Sequence, residues 1–252
     1  MSEVKRSSMP EVAQGLACAR VRGVSPPPFH AYGHSHLVVL ALTVVVALVM
    51  VLGRRRWMEL LMIAPVLLSW PLALLSHWLN QDLSMQNALP VQLCDVAAIV
   101  GALALWRKAP LACEMVYFFG LAGTLQGLLT PNLQEDFPNP RFIVFFINHC
   151  GVVITALYVV LGLRFKPRPW AVLRLMGWLL SWAAVVGAIN AALGTNYGFL
   201  CSKPPVASLL DVLGPWPWYI GSLVGMATLF FVILDLPFMW GRRASKVDTR
   251  SV

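Results

Sequence analysis

Charge is scarce in this sequence. Only 12% of its 252 residues are Asp, Glu, Lys or Arg, about half the ~25% usual in a soluble domain. That deficit excludes an ordinary soluble globular domain. Acidic residues are the rarer sign, 11 against 19 basic ones, for a net charge of +8. Such an excess can mark a nucleic-acid binder. Here the basic residues lie at the edges of apolar runs, where membrane flanks carry them, so no nucleic-acid partner is expected. Cysteines are few and odd in number: Cys18, Cys94, Cys113, Cys150 and Cys201. Three fall in apolar runs, so a disulfide framework is not expected. The first 30 residues have no apolar core of a secretory signal, and none is expected.

What the chain does have is apolar length: 58% of its residues are hydrophobic. A membrane span needs roughly 20 such residues at about 1.5 Å rise each. Seven segments qualify or nearly qualify: His36–Gly53, Trp57–Leu79, Pro90–Trp106, Leu111–Thr130, Phe142–Leu163, Trp170–Leu193 and Pro217–Trp240. The first and third are short. The expected fold is all-α, a polytopic seven-transmembrane-helix bundle over residues 36–240. A polar tail precedes it over 1–35, whose "SPPP" stretch reads as flexible. A second polar tail follows over 241–252.

Basic residues orient the bundle. The odd connections and the C-terminal tail carry twelve: Arg54, Arg55, Arg56, Arg107, Lys108, Arg164, Lys166, Arg168, Arg242, Arg243, Lys246 and Arg250. The even connections carry two, Arg141 and Lys203. The positive-inside rule then puts the C-terminus in the cytoplasm and the N-terminus outside, in an inner (plasma) membrane. Seven of ten tryptophans (Trp57, Trp78, Trp106, Trp170, Trp216, Trp218 and Trp240) fall at span ends, as an aromatic belt does.

The polar residues inside the spans are the candidates for function, because each is costly there and needs a partner. With span three starting at Pro90, Cys94 and Asp95 lie about 6–8 Å below the outer end. His149, with Asn148 beside it, lies about 10 Å below the outer end of span five. His77, Gln126 and Asn190 sit near outer ends of spans two, four and six, and Asn196 and Tyr197 follow in the sixth connection. The set reads as one pocket at the level of the outer leaflet. The plainer reading is that Asn, Gln and His hold helices together.

A thiol and an imidazole at matching depth suit nucleophilic acyl transfer. The imidazole of His149 can take the proton of Cys94, and the thiolate can hold an acyl group as a thioester. Dipole help from span three is expected to be small, because that effect fades within the first turn. Asp95 or Asn148 can orient the imidazole. Asn190, Asn196 or Gln126 can donate to an oxyanion. Cys150 competes as nucleophile, but it directly follows His149 and its side chain diverges by about 100°. The imidazoles of "HSH" (34–36) lack a third ligand, so no metal is expected, and no cofactor either. The partners expected are membrane phospholipids.

Four stretches, "LPVQLCD" (89–95), "YFFGLAGTLQGLLTPNL" (117–133), "FPNPRFIVFFINHCGVV" (137–153) and "GTNYGFLCSKPPVASLLDVLGPWPWY" (194–219), resemble YwaF-type bacterial integral membrane proteins. The likeness covers roughly residues 36–240. That family is similar to an animal transmembrane acyltransferase acting on ether-linked ethanolamine phospholipids with a Cys and a His in membrane helices. The resemblance implies that Cys94 fills the cysteine of the third-span pattern and His149 the histidine of the fifth. The reading is a phospholipid acyltransferase or transacylase. Acyl-CoA is absent outside the cell, so a phospholipid donor fits better. The alternatives are a lipid esterase with the same pair, or a small-ligand receptor or transporter that does no chemistry.

Overall fold

The computed structural model of the protein describes residues 28–204 and 209–248. Helices make up the fold, and among the described residues the only strand-like pairing is one antiparallel bridge, Pro28 to Glu135. The helices are α1 (His34–Gly53), α2 (Arg56–Leu79), α3 (Leu93–Arg107), α4 (Pro110–Leu129), α5 (Pro140–Gly162), α6 (Ala171–Leu193) and α7 (Trp218–Asp248). All but α3 are long and apolar enough to cross a membrane, so the protein is a polytopic helical membrane protein. The 15 residues of α3 fall short of a full crossing, so among the described residues the count of clear spans is six, with α3 a seventh and shorter rod. Of the expected tails, residues 1–27 and 249–252 lie outside the described residues, and α7 continues as helix to Asp248.

Local sequence sets the helix ends. Asn139 caps α5, its side chain accepting from Arg141 N–H at 2.8 Å, and Pro140 follows at the first helical position, where its missing N–H costs nothing. Pro110 does the same for α4. α3 starts at Leu93, three residues after Pro90, with Gln92 at its cap. Its other end is closed by Arg56, which donates to Leu105 O at 2.6 Å and Trp106 O at 3.0 Å. Those carbonyls have no partner within the helix.

α4 and α5 form the hub. Every residue from Ala112 to Phe119 is buried. α3 brings small residues against them: Ala97, Ala98, Gly101, Ala102 and Ala104 are buried. Such residues let helices approach closely where no hydrophobic effect drives association. Gly151 of α5 has the same use, for a methyl there would lie 2.7 Å from Val66 of α2. The peripheral faces of α1, α2, α6 and α7 present exposed Leu, Val and Ile side chains, the surface lipid requires. α7 meets the hub through Phe231, whose ring centroid is 5.3 Å from that of Phe118 and 5.9 Å from that of Phe119. Both α4 and α5 contain a π-helical turn, over Gly120–Thr124 and Tyr158–Gly162.

Two buried carboxylates hold the lower end, where α3 and α5 finish. Glu59 of α2 receives Tyr158 OH at 2.7 Å, Arg56 at 2.5 Å and Lys108 at 3.2 Å. Glu114 of α4 is gripped by Arg168 and Arg174. The upper end is held by a polar roof. Arg141 pairs with Asp82 and, at 2.7 Å, with Glu135, while His77 Nδ1 lies 3.1 Å from Asp82. Burial alone would raise the Asp82 carboxyl, but hydrogen bonds from His77 and Arg141 outweigh it and hold the group below its ordinary value. A depressed carboxyl stabilises the fold above its unfolded-state value and loses that contribution as pH falls through the folded one. Thermal stability should therefore drop in acid, below about pH 4. Asp82→Asn should flatten that limb of a plot of Tm against pH, and an unchanged limb would remove Asp82 from the account.

Candidate functional site

The site is built where α3, α4 and α5 meet near the upper end. Two contacts set the register of α3 on α5. Asn148 Nδ2 donates to Asp95 Oδ1 at 3.3 Å, and a methyl on Gly101 would lie 3.6 Å from Thr155. Between them α3 advances six residues and α5 seven, so the helices run parallel and nearly in step. Cys94 therefore stands beside Asn148 in backbone level. It is only the second residue of α3, however, whereas His149 is ten residues into α5. α5 starts higher because its first two turns rise beside the roof around Arg141. The short start of α3 changes the expectation about its dipole. Cys94 lies in the first turn, where unpaired N–H groups favour an anion.

His149 is buried. Its Nδ1 is 2.9 Å from Phe145 O. A carbonyl only accepts, so Nδ1 carries the proton and Nε2 keeps its lone pair. The ring stacks on Phe145, centroids 3.9 Å apart and planes 16° from parallel. Its far edge lies on α4, where a methyl added to Gly127 would fall 2.9 Å from both Nε2 and Cδ2. One turn earlier in α4, Gly123 receives Leu93, with a would-be methyl 3.3 Å from Leu93 Cδ2. Leu93, the residue before Cys94, and His149 thus border neighbouring notches of one glycine-bearing edge. Among the described residues no hydrogen bond joins Cys94 and His149.

Asp95 does not reach His149. It accepts from Asn148, which also donates to Ser69 Oγ at 3.1 Å. Asn148 is buried, and its Oδ1 has no hydrogen-bond partner among the described residues. Asp95 and Ser69 line a cavity of about 130 Å³ between α2 and α3, with Val66, Trp70, Pro90 and Ile99 among its other walls. The polar groups of the expected pocket therefore divide into an imidazole notch on α4 and a carboxylate slot on α2.

The remaining candidates hold the roof. Tyr197 OH donates to Met85 O at 2.5 Å and accepts from Leu89 N–H at 3.0 Å. Asn190 accepts from Tyr197 N–H at 2.8 Å and donates to Tyr197 O at 2.9 Å. Asn196 accepts from the N–H groups of Cys201 and Ser202. Gln92 accepts from Gly198 N–H at 2.9 Å, and Trp182 donates to Val91 O at 3.0 Å. These bonds fix the segment leading into Cys94 from both sides. His77 belongs to the ion-pair group with Asp82, and Gln126 is half-buried near the top of α4. Cys150 packs among the apolar clusters around Tyr158 and Phe146, Cys113 is buried in the hub, and Cys18 lies outside the described residues. His36, in α1, accepts from Tyr32 N–H and donates to Leu128 O at 2.9 Å. Among the described residues no three His, Cys, Asp or Glu side chains gather as metal ligands do.

Helices of this length around an intramembrane polar site define a multi-pass membrane protein. The chain belongs to the TMEM164 family, which matches residues 31–235; that is the family shown, rather than one under the YwaF name. It is similar to an uncharacterized protein of Treponema pallidum (strain Nichols), 30% identical over 156 residues, which cover 62% of this chain and 64% of that protein. The match thus spans less than two thirds of the relative's length. No solved structure matches the chain.

Proposed function

We propose that the protein is a membrane phospholipid acyltransferase or transacylase with Cys94 as nucleophile and His149 as base. One observation carries the reading. The hydrogen bond from Nδ1 to Phe145 O leaves the basic nitrogen of His149 free, on the helix edge that also receives the residue before Cys94. In the first half-reaction the Cys94 proton passes to Nε2. The thiolate attacks the ester carbonyl of a donor phospholipid, the C–S bond forms, and the ester C–O bond breaks. The lysolipid oxygen leaves with the proton from His149. In the second half-reaction a lysolipid hydroxyl gives its proton to His149 and attacks the thioester, and Cys94 leaves as thiolate. Catalytic pairs of this kind are often looser without substrate, which accommodates the absence of a Cys94–His149 bond here.

Asp95 and Asn148 take a different part from the orienting one: Asn148 ties α5 to Asp95 and Ser69 at the level of the nucleophile. Asn190, Asn196 and Tyr197 support Cys94 through the roof. The test is purified protein in vesicles holding an acyl-labelled phospholipid. A hydroxylamine-sensitive acyl label and transfer to an added lysophospholipid are expected. If neither arises, the reading fails. A receptor for a small ligand then gains, with the cavity lined by Asp95 and Ser69 as its binding place.

The basic asymmetry supports a cytoplasmic C-terminus, and in that orientation the proposed site faces the outer leaflet. A reporter fused after Lys246 should be active only if it works in the cytoplasm. Activity of a periplasmic reporter there would overturn the orientation.

A further inference from the structure

We infer that Gly127 and Phe145 are positioning residues for His149, together setting which way its basic nitrogen faces; the inference rests on the acyl-transfer reading above. The imidazole is held on three sides. Phe145 O fixes its Nδ1 proton at 2.9 Å. The Phe145 ring covers one face at 3.9 Å. The space a Cβ of Gly127 would take is filled by the edge that carries Nε2 and Cδ2. That edge is the one through which proton transfer must run.

Conformation does not account for the glycine at 127. It lies within the last α-helical stretch of α4, Leu125–Leu129, and its φ is not in the left-handed region. A helix interior favours alanine there by roughly 1 kcal/mol. What alanine cannot do is leave the imidazole in place, because its methyl would sit 2.9 Å from two ring atoms. Real contacts are essentially never that short, so something must move. The ring, at the free end of a side chain, yields more easily than two packed helices. Gly127→Ala should therefore fold as well as the native protein while displacing the base. A displacement of about 1 Å at a reacting group can cost roughly 10²-fold in rate.

The experiment measures acyl transfer in vesicles and Tm for native protein, Gly127→Ala, Gly177→Ala and Phe145→Leu. Gly177 lies on α6, and a methyl there meets nothing within 4 Å. Gly127→Ala should keep a Tm near the native value, lose about 10- to 100-fold in kcat with KM little changed, and lower the rate at which Cys94 is alkylated by a thiol reagent. Gly177→Ala should match native protein in all three. Phe145→Leu keeps the carbonyl and removes the stacked ring; its kcat should fall and the acidic limb of its pH–rate profile should move. If Gly127→Ala transfers acyl groups at the native rate, or if it loses activity only in proportion to lost folded protein while Phe145→Leu keeps the native rate and pH profile, the inference is overturned. Failure of the acyl-transfer reading itself gives a different pattern, with no Cys94-dependent transfer in the native protein.

Discussion

Cys94→Ala should remove the hydroxylamine-sensitive acyl label completely and reduce lipid acyl transfer by on the order of 10³-fold or more, as loss of a covalent nucleophile does. Cys150→Ala should leave both largely intact. The two cysteines differ in surroundings as much as in position. Cys94 stands in the first turn of α3 beside Asn148, next to the residue that fills the Gly123 notch. Cys150 is packed among Ile154, Tyr158, Phe146 and Val153, on another side of α5 from the imidazole notch. Its loss removes a small packing group, a cost of about 1 kcal/mol. His149→Ala should leave a folded protein whose Cys94 reacts slowly with thiol reagents and takes up little acyl label. A native rate of transfer in Cys94→Ala would refute the nucleophile assignment, whatever the other variants do.

Much of the bundle was legible in the apolar runs, because crossing a membrane demands length and leaves little freedom. The start of α3 was not. Pro90 reads as a first helical residue, yet the chain stays non-helical through Gln92 because Trp182, Gly198 and Tyr197 hold residues 89–92 from the side. Those are long-range bonds, and no local pattern announces them. The polar candidates were visible by residue type, but type does not say which way a side chain turns. Asn148 and His149 are neighbours separated by about 100° around the helix, and the structure turns Asn148 to Asp95 and His149 to Gly127. Only a register between helices decides between those outcomes. Gly127 left a faint trace in "GLAGTLQGLL", where glycines recur at 120, 123 and 127. That spacing marks a close helix contact without naming the partner. The π-helical turns left no trace that could be read.

The lower clamp yields an expected result about stability in which two changes together far exceed their sum. Glu114 is fully buried and accepts five hydrogen bonds, three from Arg168 and two from Arg174. The arginine side chains are themselves 45% and 31% exposed. Removing one leaves the other on the carboxylate, and solvent near the exposed guanidinium screens what is lost. Each single change to alanine should therefore cost only about 1 kcal/mol. Removing both leaves a carboxylate at zero exposure with no cation, and stranding a buried charge costs about 3–5 kcal/mol. The double variant should be well below the sum of the singles, as expected for residues sharing one partner. For a chain of this size that is a fall in Tm of roughly 10 °C. Adding Glu114→Gln to the double variant should restore much of it, because the stranded charge is then gone. The comparison is Tm in one detergent for native protein, the two singles, the double and the triple. Strict additivity of the singles, or no recovery in the triple, would show that Glu114 is not the shared anchor tying α6 to the hub.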